Sequence, residues 1–503
     1  MSRRLRVALL LLAGIPGCTD GLSDARETEI ANVLEQADEP FLLSRPVLVA
    51  GKYSLMSDPT TPISFFRGTL PLYLHDFQEG KGGLVASAYA LSTPLVPCIG
   101  DPHPENFGTL QGPDGKVSIE LDDFDTADRA PYLLDVRRFV TGMALAAYFS
   151  NTGDAAAHES AIAAAYDIAH AGAAGYAEGI QSAAMGRPTP RVLAPTGNAY
   201  LDNLLAKAAA GAANRDELTT DTVRTATGRM LVRGVLDSDD PQNVWDNLPD
   251  FAMADLQATI DAYRTTLVDP PPASYFTVLD AVRELGAGVA SWPKVRGIIL
   301  LQGASTDPSS NVLVEIKELT DSGIAGLYPP GVYTDNVPQR DIALSRAAWA
   351  IPNADPLWGA GTWEGLPVQL RSESAANRGV KVDDLTGEYG TVAVLTGLAH
   401  QLGLILSRLH SAVLEDQPSA AQAIWAAISV DLDGFEDEQA TIGVAYARQS
   451  MSDFPLFQSA LQTLGMSLGA PLDPADAPSP DFAALLGVPP APPAPTPPST
   501  STP

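Results

Sequence analysis

Between Gly100 and Asp125 the chain gathers oxygen-bearing side chains in an order that suits divalent-cation chemistry. The loop Gly100-Asp101-Pro102-His103-Pro104-Glu105-Asn106 offers a carboxylate that could act as a base, Asp101, and an amide oxygen, Asn106. The run Glu120-Leu121-Asp122-Asp123-Phe124-Asp125 offers further carboxylates. A hard, oxygen-only set of this kind is what Mg2+ accepts, through one or two carboxylates together with substrate phosphates. Val117, Ile119 and Leu121 alternate with Ser118 and Glu120, which is the period of a half-buried strand, and Gly112-Pro113-Asp114-Gly115 before them is a turn signal. Phe107 to Gln111 then reads as the partner strand of a hairpin. Paired strands lie about 5 Å apart, so Asn106 should neighbour Asp122 or Asp123. Spacing from the strand favours Asp123 over Asp122 and Asp125 as the cation ligand, while Glu105 reads as a solvated charge.

That run resembles the catalytic loop and metal-binding segment of the aminoglycoside-phosphotransferase branch of the protein-kinase-like fold. The resemblance implies that Asp101 is the base, that Asn106 and Asp123 hold Mg2+, and that Asp135, in Leu-Leu-Asp-Val-Arg-Arg, braces the loop. His103 would support the loop backbone, with metal ligation as its alternative. A second resemblance, to the bacterial family known as domain of unknown function 2252, extends from about Lys52 to Phe454. It is carried by Phe65-Phe66-Arg67-Gly68, the loop at Gly100, Asp123-Phe124-Asp125, Asp135 with Arg138, Gly286-Ala287-Gly288 and Glu315-Ile316-Lys317-Glu318.

In a kinase the glycine-rich nucleotide lid and the lysine strand precede the catalytic loop, whereas here Gly286, Gly288 and Lys317 follow it. The implied fold is therefore α+β and two-lobed but permuted in order, with a large, mainly helical lobe and a smaller lobe of antiparallel strands. Lys317 closes the strand Val312-Val314-Ile316 and would reach the phosphates of ATP or another nucleotide, or else be a partnered strand-end charge. Gly286 and Gly288 would form the lid or an ordinary turn. Arg67 and Arg371 read either as phosphate ligands or as structural ion pairs. Gln339 to Ala350 suits the helix behind the lysine but offers it no glutamate. Thr391 to Ala412 resembles the helix that leads into a kinase catalytic loop, and His400 and His410 on it read as core histidines.

Other elements must position these residues. Asp135 to Tyr148, Ala155 to Ala184, Tyr200 to Ala213 and Leu256 to Thr266 have helical character, and the alanine-rich stretch among them invites close helix packing. Pro270-Pro271-Pro272 is the strongest internal boundary signal. The expected division is a helical lobe over 40–269, a strand-containing lobe over 270–390, returning helices over 391–470, and a Pro- and Ala-rich disordered tail over 471–503.

Arg3, Arg4 and Arg6 before the apolar run Val7 to Ile15 read as a signal peptide over 1–17, with Ile15-Pro16-Gly17-Cys18 as a lipidation site at Cys18 and a polar tether over 18–39. The expected location is the cell envelope through a lipid anchor, or else secreted or periplasmic, with no later membrane helix. Cys98 reads as a small buried residue.

The 503 residues are 45% hydrophobic, ample for a large core, and carry a net charge of −29, which disfavours nucleic acid and anionic lipid surfaces as partners. A monomer acting on a small-molecule or protein hydroxyl is the leading expectation. The alternatives are a non-catalytic binding lipoprotein that keeps the cleft, and a metal-dependent hydrolase using Asp101, His103 and Asp123. Scarcity of ATP outside the cytoplasm weighs against the first.

Overall fold

The computed structural model describes residues 20–464 apart from 93, 238–239, 322 and 325–335. The signal peptide, Cys18 and the tail from Pro471 lie outside the described residues. Four helices lead: α1 (Asp20–Ser44), α2 (Pro46–Ser57), α3 (Ile63–Gly68) and α4 (Leu70–Glu79). Strand β1 (Val96–Cys98) enters the loop, the hairpin follows as β2 (Phe107–Gln111) and β3 (Val117–Leu121), and β4 (Asp128–Ala130) returns beside β1. Helices α5 (Tyr132–Phe149), α6 (Ala155–Ala163), α7 (Ala165–Ala184), α8 (Ala199–Asn214) and α9 (Asp216–Thr220) come next. Then follow β5 (Thr222–Arg224), β6 (Arg229–Leu231), β7 (Gly234–Asp237), β8 (Asp240–Asn247), α10 (Asp250–Arg264), β9 (Val278–Leu285), β10 (Arg296–Leu301) and β11 (Val312–Glu318). The chain continues through α11 (Val337–Ala348), β12 (Gly359–Trp363), β13 (Leu366–Glu373), α12 (Val392–His410), α13 (Ala421–Ile428) and α14 (Leu432–Leu464). The class is mixed, 52% helix and 16% strand, and the sheets are antiparallel.

The largest core lies among α5, α7, α12 and the hairpin. Helices α7 and α12 approach closely because glycines face them: a Cβ on Gly175 would sit 2.1 Å from the His400 carbonyl oxygen, and one on Gly403 would sit 2.3 Å from that of Gly172. Interior glycine costs about 1 kcal/mol relative to alanine in a helix, a cost offset here by backbone contact. By length and apolarity α12 could cross a membrane, contrary to the expectation that no later segment would. More than half of it is buried within the molecule, however, as befits a core helix.

Seven strands form one antiparallel sheet in the order β12-β13-β11-β10-β9-β8-β7. Ile299, Leu301, Val314, Ile316 and Leu370 pack on α10, whereas Ile298, Leu300 and Leu313 pack with Trp245, Leu218 and Leu231 on the other face. Burial on both faces explains why Ile298 to Leu301 reads as an unbroken apolar run. Two expected boundaries move. The sheet already contains β7 and β8, and α10 packs on one of its faces, so the sheet unit begins well before Pro270. Likewise Val380 and Val382, placed in the strand lobe by sequence, pack in the helical core.

The expected tether is helix from Asp20 onward. Ile30, Ala31 and Leu34 recur at helical spacing and are buried against Tyr53, Phe65 and Phe457. Arg26 reaches Asp76 (2.6 Å) and Asp453 (2.7 Å), tying α1 to α4 and α14.

Candidate functional site at the Asp-Phe-Asp hairpin

The hairpin pairs Phe107 with Leu121, so Asn106 falls opposite Asp122, whose N–H donates to the Asn106 carbonyl (3.3 Å). Glu120 on β3 is fully buried and ion-paired with Arg408 of α12. Phe124 packs edge-on against both Trp349 and Trp358, with ring centroids 6.0 Å away in each case, and the two tryptophans also meet edge-on. An anchored Phe124 fixes the acidic residues on either side of it.

The preceding loop is held from beneath. Asp135 is fully buried and accepts from Ile99 N–H (2.7 Å) and Gly100 N–H (2.9 Å). His410 Nε2 lies 3.1 Å from the same carboxylate, and its Nδ1 lies 2.8 Å from the Tyr176 hydroxyl. Arg138, also fully buried, donates from Nε to Asp101 Oδ1 (2.7 Å) and from Nη2 to the Phe66 carbonyl (2.7 Å), and its guanidinium stacks 3.5 Å from the Phe66 ring centre. The Asn106 amide nitrogen donates to the Asp101 carbonyl (2.8 Å), which leaves the amide oxygen as the atom a cation could use.

His103 does not support the loop through its ring. Its Nδ1 has no partner among the described residues, and its Nε2 lies 3.7 Å from Asp101 Oδ2. Burial, aided by the charges of Arg67, Arg138 and Lys381, holds His103 down to about 3, so the imidazole is neutral at physiological pH. Glu105 is not the solvated charge its sequence context suggests. Its side chain is 6% exposed, pairs with Arg67 (2.7 Å) and accepts from Val382 N–H (2.9 Å). Arg67 is thus an ion-pair partner that also borders the cleft, and Arg371 pairs with Glu315 while donating to the Asp122 carbonyl (3.1 Å).

From the sheet, Lys317 projects on the same face of β11 as Glu315. Its Nζ lies 2.7 Å from Asp125 Oδ2 and 3.2 Å from Asp123 Oδ1. Lys294, which the sequence did not single out, lies 2.9 Å from Asp125 Oδ2. Burial alone would raise the Asp125 carboxyl, but the two ammonium groups pull it well below the carboxylate range. Burial would lower Lys317, and Asp123 and Asp125 outweigh it and raise it. Asp122 stands apart: burial lifts it to about 6 despite Arg371. On α11, Asp341 is buried, accepts from Gln369 (3.1 Å) and rises to about 7 through burial and the nearby charge of Asp125.

Lys294 sits on the turn between β9 and β10, beyond Gly286 and Gly288, both at positive φ (77° and 76°). This turn is pinned. Val289 packs with Tyr53 and Phe65, and Trp292 lies so close to α2 that a Cβ on Gly51 would meet its Nε1 at 2.5 Å. Arg45, between α1 and α2, donates to the Pro293 carbonyl (3.0 Å) and to both oxygens of Glu318 (2.5 and 3.1 Å).

These groups border one cleft of about 1000 Å³. Asp101, His103, Asn106, Asp123, Asp125, Arg67, Gly288 and Lys294 all line it, with Arg45 and Asp38 on the α1–α2 side. Lys317 lies just behind its acidic partners, Gly286 is not at the wall, and Asp135 is beneath the loop. Seven Lys and Arg line the cleft against eight Asp and Glu, whereas the chain carries 31 against 60. Positive charge is therefore concentrated at this place in a strongly acidic protein.

Asn106, Asp123 and Asp125 offer oxygen donors to the cleft, the ligand type that a hard divalent cation takes. Asp125 Oδ1 is buried and has no partner among the described residues, so the carboxylate retains an unused ligand atom beside Asp123.

No curated protein and no solved structure matches the chain. The family model described as an uncharacterized protein conserved in bacteria (DUF2252) matches residues 45–460, a span that takes in the loop, the hairpin and the sheet; the chain belongs to that family.

Proposed function

We propose that this cleft binds a nucleotide with Mg2+ and transfers a phosphoryl group to a hydroxyl presented at Asp101, within a two-lobed, permuted kinase-like arrangement. The observation that carries the reading is the meeting, in one cleft, of the Asp101–Asn106 loop, the Asp-Phe-Asp hairpin and Lys294 from the sheet side, with Lys317 paired to the hairpin's carboxylates from behind. Permutation is supported by the join it requires. The end of α12 reaches the start of the loop through His410 and Asp135, and beyond it the Gln417 side chain donates to the Leu95 carbonyl (2.5 Å).

In this reading Asn106, Asp123 and Asp125 would hold the cation, which when bound offsets charge on the phosphates. Lys317 and Lys294 would steady the phosphates, with the Gly288 turn as a fixed wall. Asp101, oriented by Arg138, would position the acceptor hydroxyl and receive its proton. Positioning and charge stabilisation supply most of the rate in phosphoryl transfer. With Cys18 as a lipid anchor and 1–17 removed, the reaction would take place in the cell envelope, on a donor available there.

Thermal-shift measurements test the reading: Mg2+ with ATP together should stabilise the protein, and Asp101→Asn should keep that shift while losing transfer to any acceptor the wild type uses. Stabilisation by a metal-free ligand alone would instead favour a binding module, and phosphate-ester cleavage with Zn2+ or Mn2+ a hydrolase.

A further inference from the structure

Lys294 and Lys317 both direct their ammonium groups at Asp125 Oδ2, at 2.9 and 2.7 Å, and Lys317 also bridges to Asp123 Oδ1 at 3.2 Å. Two positive and two negative groups therefore balance in a site where the lysine side chains are only 9% and 5% exposed. A buried charge that loses its partner is strongly unfavourable. Lys294 also cannot retreat with its backbone, because Trp292 against Gly51 and Arg45 on the Pro293 carbonyl fix the turn that carries it. Asp125 Oδ1 is buried without a partner among the described residues while Oδ2 is held by both ammonium groups, so ligation of a cation by Asp123 and Asp125 requires both lysines to turn away.

We infer that Lys294 and Lys317 form an electrostatic lock on the cation site, so that a divalent cation and a polyphosphate bind only as a pair. This rests on reading Asp123 and Asp125 as the carboxylates of that site. A cation entering alone would leave two ammonium groups without counter-charge. A polyphosphate entering alone would face two carboxylates that already hold the lysines. Together, the cation takes the carboxylates and the phosphates take the lysines, and each buried charge keeps an opposite neighbour. Lys294 is then a positioning residue whose effect on the cation is opposite in sign to its effect on the polyphosphate.

Mn2+ retained with the full chain on ultrafiltration, read against matched mixtures without protein so that metal chelated by free nucleotide is subtracted, tests this. Wild type should take up Mn2+ only when the imido analogue of ATP is present. Lys294→Gln should bind Mn2+ alone at least about tenfold more tightly than wild type and lose most of the dependence on the analogue, whereas Lys294→Arg should keep the wild-type pattern. Equal Mn2+ uptake by wild type with and without the analogue, or a Lys294→Gln variant indistinguishable from wild type, would overturn the lock while leaving the cation site intact. No Mn2+ uptake by any of the three proteins, with or without the analogue, would overturn the cation site and the lock with it.

Discussion

The two acidic groups of the cleft are held in opposite ways. Asp101 is fixed by Arg138, 37 positions away, and its loop by Asp135, 35 and 36 positions from the amides it binds, so nearby sequence builds most of that support. Asp123 and Asp125 are held by Lys317 and Lys294 across separations of 194 and 169 residues. The first group is part of the helical core. The second exists only where the sheet unit meets the hairpin, and is therefore where a ligand would be felt by both parts of the molecule.

Removing the brace should break this comparison most severely. Asp135→Ala leaves two buried amides and His410 without their acceptor, and should cost about 3–5 kcal/mol, the range for an uncompensated buried polar network. Urea unfolding checks it; a loss below about 1 kcal/mol would mean that the loop does not depend on the core beneath it. Next in size is Arg45→Met, which strips Glu318 of its bidentate partner and frees the Pro293 carbonyl. The expected cost is about 2–4 kcal/mol. Amide hydrogen exchange should quicken over residues 286–296 while residues 99–106 stay protected. Equal quickening in both segments would show that the two regions are not independent.

The same contrast separates what the sequence revealed from what it concealed. The hairpin was legible because alternation and a Gly-Pro-Asp-Gly turn act over a few residues, and the register Phe107 with Leu121 follows from them. Asp135 stood out only through a motif, yet its bonds lie close along the chain. Lys294 had no local signal: Trp292-Pro293-Lys294 resembles any loop, and its role comes from tertiary placement alone. Helix α1 carried a faint signal in Ile30, Ala31 and Leu34, overridden by polar neighbours that turn out to be ion-paired, as Arg26 is. The triple proline misled because it punctuates a connection inside the sheet unit, between α10 and β9, rather than a boundary between units. Glu105 misled because exposure cannot be read from charge when its partners Arg67 and Val382 are remote in sequence.

The smallest effect sharpens the comparison by placing a probe at the long-range junction itself. Asp341 lies on α11, where the charges of Asp125 and Lys317 both act on it, and burial first, then Asp125, lifts its carboxyl to about 7. The folded protein then retains a proton at Asp341 that the unfolded chain has already released once the pH exceeds the ordinary aspartate range. Stability contributed by that proton is fully present in acid, declines as the pH rises toward 7, and is gone above it. Asp341→Asn cannot lose a proton, so its stability relative to wild type should rise by about 1–3 kcal/mol between pH 5 and pH 8. Denaturant titrations at the two pH values check the sign. If its relative stability instead falls toward pH 8, the ionised carboxylate is being used there, and Lys317 is the cation placed to use it. The long-range cluster would then extend from the hairpin through the lysine to α11.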